Sequence, residues 1–359
     1  MNEVSRVETG SPDQSDVVIT PSKADRLKTY LAPLLDLEDK RFPLDPEKTL
    51  IAAGNRSFEH ACKRSEPYIR RFGLATNETM RNLFVEGYWR PMVLAHRRVG
   101  VKRRFQLVLG DNTTPSRSPT FHKARKIEGS GLDVLAPLNR PRHFALLRHS
   151  AKFDRPFGEK TGKVLWRGAT TGDFTLRQPI ARFDLYLGWE RWEANPDFDF
   201  GFTNLTPNKA NYKGGVDIDT CERPRMGVEE QLHYKYLLCL EGNDVASGLK
   251  WMLSSNSLVL MPRPTMVSWA CESLLRPGVH YVEVKPDLSD LEAVFAWCEA
   301  HPRQCEEIAQ NGKSFMKPFY DEDLETELFD TVVRRYHRLI RLYNPDAEAD
   351  DAEAAEATD

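Results

Sequence analysis

The stretch that most limits how this chain can fold is KYLLCLEGNDVASGLKWMLSSNSLVLM, residues 235–261. An apolar run stops at Glu241-Gly242-Asn243-Asp244, and apolar residues then resume at helical spacing. The pattern breaks again at Ser254-Ser255-Asn256 and a second apolar run follows. Short runs of this kind, without polar alternation, suit strands of a parallel sheet covered on both faces by helices. The polar turn between them then lies at the carboxyl end of a strand, where such sheets bind ligands.

The downstream sequence continues the alternation. HYKYLLCL predicts a strand, DVASGLKWMLSS a helix, SLVLM a strand, TMVSWACESLL a helix and HYVEV a strand. DLSDLEAVFAWCEAH predicts a helix capped by Asp287 or Ser289, and two more helices are expected near 302–316 and 321–343. This is the pattern of a doubly wound α/β domain. Upstream, shorter strands sit among basic, Pro-rich loops: one carrying Phe105, Leu107 and Leu109 on one face, one at 163–166 and one at 198–203. A chain of 359 residues exceeds what one core usually holds, so two domains are expected. The sequence divides into a disordered tail at 1–24, an N-terminal acceptor-side domain at 25–215, a C-terminal domain at 216–345 whose last helix can cross back, and an acidic disordered tail at 346–359.

Charge is unevenly spread. The last fourteen residues hold seven acids and no base, so the body is net basic although the formal total is −3. A mildly basic body suits an anionic small molecule or an anionic membrane surface. Its basic stretches lack the interleaved aromatics of a single-stranded nucleic-acid platform, so no nucleic-acid partner is expected. The six cysteines form no Cys-x-x-Cys pair and read as buried free thiols of a reducing compartment. The N-terminus has no apolar signal region, and no stretch reaches the ~18 apolar residues of a spanning helix. A cytoplasmic protein is expected, with peripheral contact at the cytoplasmic face of an inner membrane open to it.

Three stretches carry chemistry. In the turn at 241–244, Gly242 permits close approach to a ligand, Asn243 and Asp244 can cap the following helix, and Ser247 and Lys250 share a helical face. A phosphate suits such a place, because the first amides of a helix lack internal partners. LWRGATTG, residues 165–172, delivers Arg167 and Thr170 into a Gly-bounded loop, and a guanidinium can fork two phosphate oxygens. In LGDNTTPSRSPTFHKARK, residues 109–126, Asp111 ends a strand where it can act as a general base or cap a turn, with Lys123 close behind. The basic run HRRVGVKRRF, residues 96–105, is an exposed loop or a contact for acidic headgroups or a phosphorylated glycan. The acid pairs in DFDF, 197–200, and DID, 217–219, read as loop or strand-edge acids.

These pieces together resemble glycosyltransferase family 90, most closely its bacterial lipopolysaccharide-core branch. The likeness lies in 229–265, in WRGATTG, in DFGFTN and in LLRPGVHYVEVKPDLSDL, in that order, and spans roughly residues 80–340. It implies a GT-B architecture, with two Rossmann-like domains facing across a cleft. It implies an inverting transfer from a UDP-sugar to a hydroxyl of a lipopolysaccharide core or capsule glycan, with no metal and no other cofactor. Asp111 matches the family's base, although Gly110 stands where the family has Arg. Gly248 stands where eukaryotic members carry a diphosphate-gripping Arg, which leaves Lys250 and Arg167 to supply that contact. Lys123, Trp269, Glu272 and His280 match acceptor-side or structural positions. A non-catalytic nucleotide-sugar or glycan-binding protein on the same fold is the alternative reading.

Overall fold

The computed structural model describes residues 20–45, 49–51, 78–111, 113–140, 147–172, 174, 181–205 and 208–343. Helix α1 (Lys23–Leu31) opens on a capping box, in which Ser22 and Asp25 each bond the other's amide. Its start at Lys23 cuts short the N-terminal tail that the sequence suggested to residue 24. There follow β1 (Lys40–Pro43), β2 (Thr49–Ile51), α2 (Glu78–Arg98), β3 (Arg104–Gln106), β4 (Thr120–His122), β5 (Ala124–Lys126) and β6 (Asp133–Leu135). β3 pairs antiparallel with β2, and β4 parallel with β6. A parallel bridge from Leu107 to Phe121 links β3 to β4.

The main sheet follows: β7 (Thr161–Ala169), β8 (Phe198–Asn204), β9 (Tyr234–Leu238), β10 (Leu258–Met261) and, after the short β11 (Met266–Ser268), β12 (Val282–Glu283). These strands are parallel, in the order β12-β10-β9-β7-β8, while β11 pairs with β5 instead. The expected parallel α/β unit is therefore present. Strand alternation feeds two cores. Leu237 and Val259 enter one with Phe105, Trp269 and Tyr336. Tyr236, Leu238, Leu258 and Leu260 enter the other with Trp166, Phe202 and Phe295. Each large apolar side chain gains about 1.5–3 kcal/mol on burial, so neither face can be left to water. This accounts for the unbroken greasy runs.

The helices that matter below are α3 (Ala181–Leu187), α4 (Leu249–Leu253), α5 (Leu291–Ala300), α6 (Pro302–Met316) and α7 (Glu322–Leu339), which runs into β13 (Ile340–Tyr343). Helix α7 packs on α1 and α2, and β13 pairs with β1.

Several expected elements take another form. The helix expected from Asp244 is only α4, and residues 241–248 form an extended turn ahead of it. The helix expected over TMVSWACESLL is β11 and a 3-10 turn, Glu272–Leu274. Its residues pair with β5, and Cys271 takes a left-handed φ of 58° that ends regular structure. Helix α5 begins after Asp290, while Asp287 bonds the Ser289 amide at 3.0 Å. The division drawn at residue 215 runs through the main sheet, since β7 and β8 precede it.

The strand order also locates the crevice. The chain lays β8 on one side of β7, then returns to place β9 on the other side. Loops leaving β7 and β9 therefore diverge, and a crevice opens at their carboxyl ends.

Candidate active site

The loops that diverge at this switch point, 170–172 after β7 and 239–248 after β9, carry two of the three chemical stretches. They remain in contact. The Gly172 amide donates to Asn243 Oδ1 at 3.2 Å, and a Cβ on Gly242 would lie 2.6 Å from Thr171 Oγ1. Only glycine permits that approach. Thr170 is buried, its amide and hydroxyl both donating to the Asn204 carbonyl at 3.0 and 3.3 Å. The Gly242 amide closes the turn onto the Asp244 carbonyl at 3.1 Å. Ser247 lies half-exposed on the same loop.

Arg182, in the first turn of α3, reaches back into this place. Its guanidinium donates to the Ala169 and Leu240 carbonyls at 3.0 and 2.8 Å and to the Thr171 hydroxyl. It thereby ties the ends of β7 and β9 together beside Gly242. Glu241 anchors the other side of the turn. Its carboxylate accepts from the Thr265 hydroxyl at 2.6 Å and from the Thr265 and Met266 amides at 3.2 Å each. Desolvation pushes the Glu241 carboxyl up to about 7, against the pull of those three donors.

Asp111 lies next to this turn. Lys123, between β4 and β5, pairs its ammonium with the Asp111 carboxylate and also reaches Asp244 Oδ2 at 2.9 Å. The side chains of Lys123 and Asp244 are 3% and 5% exposed, and that of Asp111 is 19% exposed. Asp111 is thus the member of this trio most open to a ligand. Tyr88 of α2 is buried beside them. Burial, with lesser effects from the charges of Lys123, Asp111 and Asp244, keeps its hydroxyl above the usual range.

The strand that positions Lys123 is itself anchored. His122 Nε2 lies 2.8 Å from Ser116 Oγ and 3.1 Å from Asp133 Oδ1, and the Ser116 amide donates to Asp133 at 2.9 Å. Burial acts to raise the Asp133 carboxyl, but the bonds from His122 and Ser116 outweigh it and hold it low. Serine and aspartate meet the same ring nitrogen, so this is a brace and not a relay, which needs them on opposite nitrogens.

Other expected site residues lie outside this group. Arg167 sits within β7, so its side chain lies over the sheet face. It bonds the Asp199 carboxylate at 2.6 Å and the Asp199 and Trp166 carbonyls at 2.8 and 3.0 Å. Lys250 is buried with its side chain 1% exposed, and its ammonium pairs with Glu272 at 2.8 Å. Glu272 in turn accepts from the Ser268 amide and hydroxyl. Burial would raise the Glu272 carboxyl, but Lys250 and Ser268 keep it below its usual range. Lys250 and Glu272 therefore brace the loop from within. Trp269 is buried against Phe319, with its carbonyl accepting from the Tyr30 hydroxyl at 2.6 Å. His280 is buried against Phe315, and its Nδ1 accepts from the Arg276 amide at 3.0 Å.

Three of the acids in DFDF and DID have structural partners. Asp199 holds Arg167 and Tyr234, Asp217 caps a 3-10 turn, and Asp219 pairs with Lys209. Among the described residues, no group of three or more His, Cys, Asp or Glu side chains is placed to hold a metal ion. Five of the six cysteines are described, all buried and free, and Cys62 lies outside the described residues. No helix among the described residues is long and apolar enough to cross a membrane. Asn208 donates to the Gly172 carbonyl at 3.0 Å and lines a hollow of about 580 Å³ with Lys209, Tyr212 and Ile218.

Sequence reasoning missed Arg182 and Tyr88. Arg182 had a signal: a base in the first turn of the helix after the β7 loop points back at the strand end, whereas a base inside the strand cannot. Tyr88 had none, being one aromatic among several on a long helix.

The fold is α/β, with a crevice at the carboxyl ends of its parallel strands and a carboxylate, Asp111, beside it. The model for Glycosyl transferase family 90 matches residues 154–357. The O-glucosyltransferase LpsA of Dichelobacter nodosus is 34% identical over 67% of this chain and 69% of its own length. Protein O-glucosyltransferase 1 of Rattus norvegicus is 28% identical over 54% of this chain and 46% of its own length. The uncharacterized protein 027R of Frog virus 3 is 34% identical over 43% of this chain, which spans 17% of that protein. The chain belongs to glycosyltransferase family 90 and is a glycosyltransferase.

Proposed function

We propose that this enzyme moves a sugar from a UDP-sugar to a hydroxyl of a bacterial surface glycan, a lipopolysaccharide core or capsule, with inversion and without a metal. The observation that carries the reading is the Lys123 ammonium, which touches Asp111 on one side and Asp244 of the donor turn on the other. A base and a turn from distant parts of the chain thus share one counter-ion. In this reading the protein has the GT-B arrangement, and the crevice beyond β7 and β9 holds the diphosphate. Gly242 lets it approach the backbone, Asn243, Ser247 and Thr171 supply polar contacts, and Arg182 supplies the positive charge that Arg167 and Lys250 were expected to give.

The acceptor hydroxyl then sits between Asp111 and the anomeric carbon. Asp111 accepts its proton as the new glycosidic bond forms on the face opposite the departing UDP. Such general-base help is worth typically ~10²–10⁴-fold. Charge grows on the diphosphate as the old bond breaks, and Arg182 stabilises it from a fixed position. Work is best begun with UDP-glucose, since the relative LpsA is named an O-glucosyltransferase. The test is Asp111→Asn, assayed for sugar transfer and, separately, for UDP binding. Transfer is expected to fall by at least ~10²-fold while UDP affinity stays within a few-fold. Undiminished turnover in that variant would remove Asp111 from the mechanism.

A further inference from the structure

The basic run at 96–105 is only half of a larger charged surface. Arg97 is exposed on the last turn of α2, Lys102 and Arg103 are exposed between α2 and β3, and Arg104 is exposed at the start of β3. The fold brings the C-terminal end of α7 to the same place. Arg98 forks Asp330 of α7 with bonds of 2.6 and 2.9 Å, and His96 meets His337 at 2.9 Å. Arg103 and Arg341 both donate to the His337 carbonyl at 3.0 Å, drawn by the negative end of the helix. Arg334 and Arg338 lie four and eight residues beyond Asp330, about 40° and 80° round the helix from it, on the flank of α7. Both are exposed.

Bases from two distant segments are therefore gathered at one helix junction. Among the described residues, Arg97, Lys102, Arg104, Arg334 and Arg338 make no ion pair, although each is free to reach a partner in solvent. Asp330 is engaged by Arg98, and Asp39 by Arg341. Leu94, three residues before Arg97 on the same helical face, is 40% exposed. Like charges gathered without counter-ions among the described residues repel one another, and an external anionic surface relieves that repulsion. An exposed leucine beside the bases suits a bilayer better than single-stranded nucleic acid, which needs aromatic platforms.

We infer that the joined C-terminal ends of α2 and α7 form a docking surface for an anionic lipid bilayer. The inference stands apart from the proposed mechanism, since it uses no residue of the crevice. It does set a geometry for that mechanism. Asp111 lies seven residues after Arg104, at most ~25 Å away along an extended chain. A docked enzyme thus works within a short oligosaccharide's length of the headgroups.

The test is sedimentation of the full chain, acidic C-terminal segment included, with vesicles. One set is phosphatidylcholine alone and the other an equimolar mixture with phosphatidylglycerol. Salt-sensitive binding to the anionic vesicles alone is expected, because each base near such a surface adds about fivefold in partitioning. Replacing Arg104, Arg334 and Arg338 together by Gln is expected to weaken it about a hundredfold, with melting temperature and UDP binding unchanged. The pair Arg97→Gln and Lys102→Gln, from the other segment, is expected to weaken it about thirtyfold. The inference is overturned by equal binding to both vesicle types, by none at low salt, or by folded variants that bind as the unaltered protein does. It is also overturned if inorganic phosphate, matched to the lipid phosphate concentration, displaces the protein, since that marks a discrete anion site.

Discussion

Gly242 leaves almost no room for a side chain in the turn after β9. A methyl group there meets Thr171 Oγ1 at 2.6 Å and the Arg182 guanidinium carbon at 3.2 Å. Gly242→Ala must push the two loops apart, and overpacking of this kind costs about 1–3 kcal/mol. If the cost falls on the bound state, UDP affinity drops roughly 5–150-fold by titration calorimetry. An unchanged affinity would mean that the diphosphate lies elsewhere. Lys250 makes the opposite case. The sequence offers it to a phosphate, but its ammonium is spent on Glu272 in the interior. Lys250→Met leaves a buried carboxylate without its counter-ion, a loss of about 3–5 kcal/mol in chemical denaturation. Helical spacing showed that Ser247 and Lys250 could share a face. It could not show whether that face looks at solvent or at Glu272, a residue from a later turn.

At the scale of elements, the buried strands were readable because an all-apolar run has few other homes. α6 was readable from its helical apolar spacing, and the strands at 163–166 and 198–203 from short apolar or alternating runs bounded by polar loops. The segment TMVSWACESLL was not. Its apolar spacing fits a helix, and its β11 form depends on pairing with β5, far away in sequence. The junction of α2 and α7 was equally invisible, and it holds a buried pair, His96 and His337. His96 Nδ1 donates to the Met92 carbonyl at 2.7 Å, so its Nε2 accepts from His337. Burial holds His96 down at about 4, and burial with the nearby His96, Arg103 and Arg341 holds His337 down at about 3. Both lie below the unfolded value of 6.5, so the unfolded chain takes up protons first as pH falls. Their contribution is full above about pH 6.5 and is lost progressively toward pH 3, at up to about 1.4 kcal/mol per proton per pH unit. Denaturation midpoints at pH 7 and pH 5 are expected to differ, and the difference is expected to shrink in His96→Gln. The same pH dependence in that variant would place the sensitivity elsewhere.

Over the whole molecule, the class of fold could be read from the order of strands and helices, but the order of strands within the sheet could not. β7 and β9 become neighbours only because the chain passes β8 to one side and returns. That step puts LWRGATTG next to the EGND turn, and it also carries the sheet across the division at 215. The family resemblance supplied Asp111, and packing around Lys123 brought it to the turn. Nothing local in the sequence states that proximity. The most direct measurement is a crystal structure of the enzyme with UDP. The diphosphate is expected between residues 170–172 and 242–244, within hydrogen-bonding distance of Arg182, with its outer phosphate turned toward Asp111. UDP bound at another surface, with that crevice empty, would contradict the central claim.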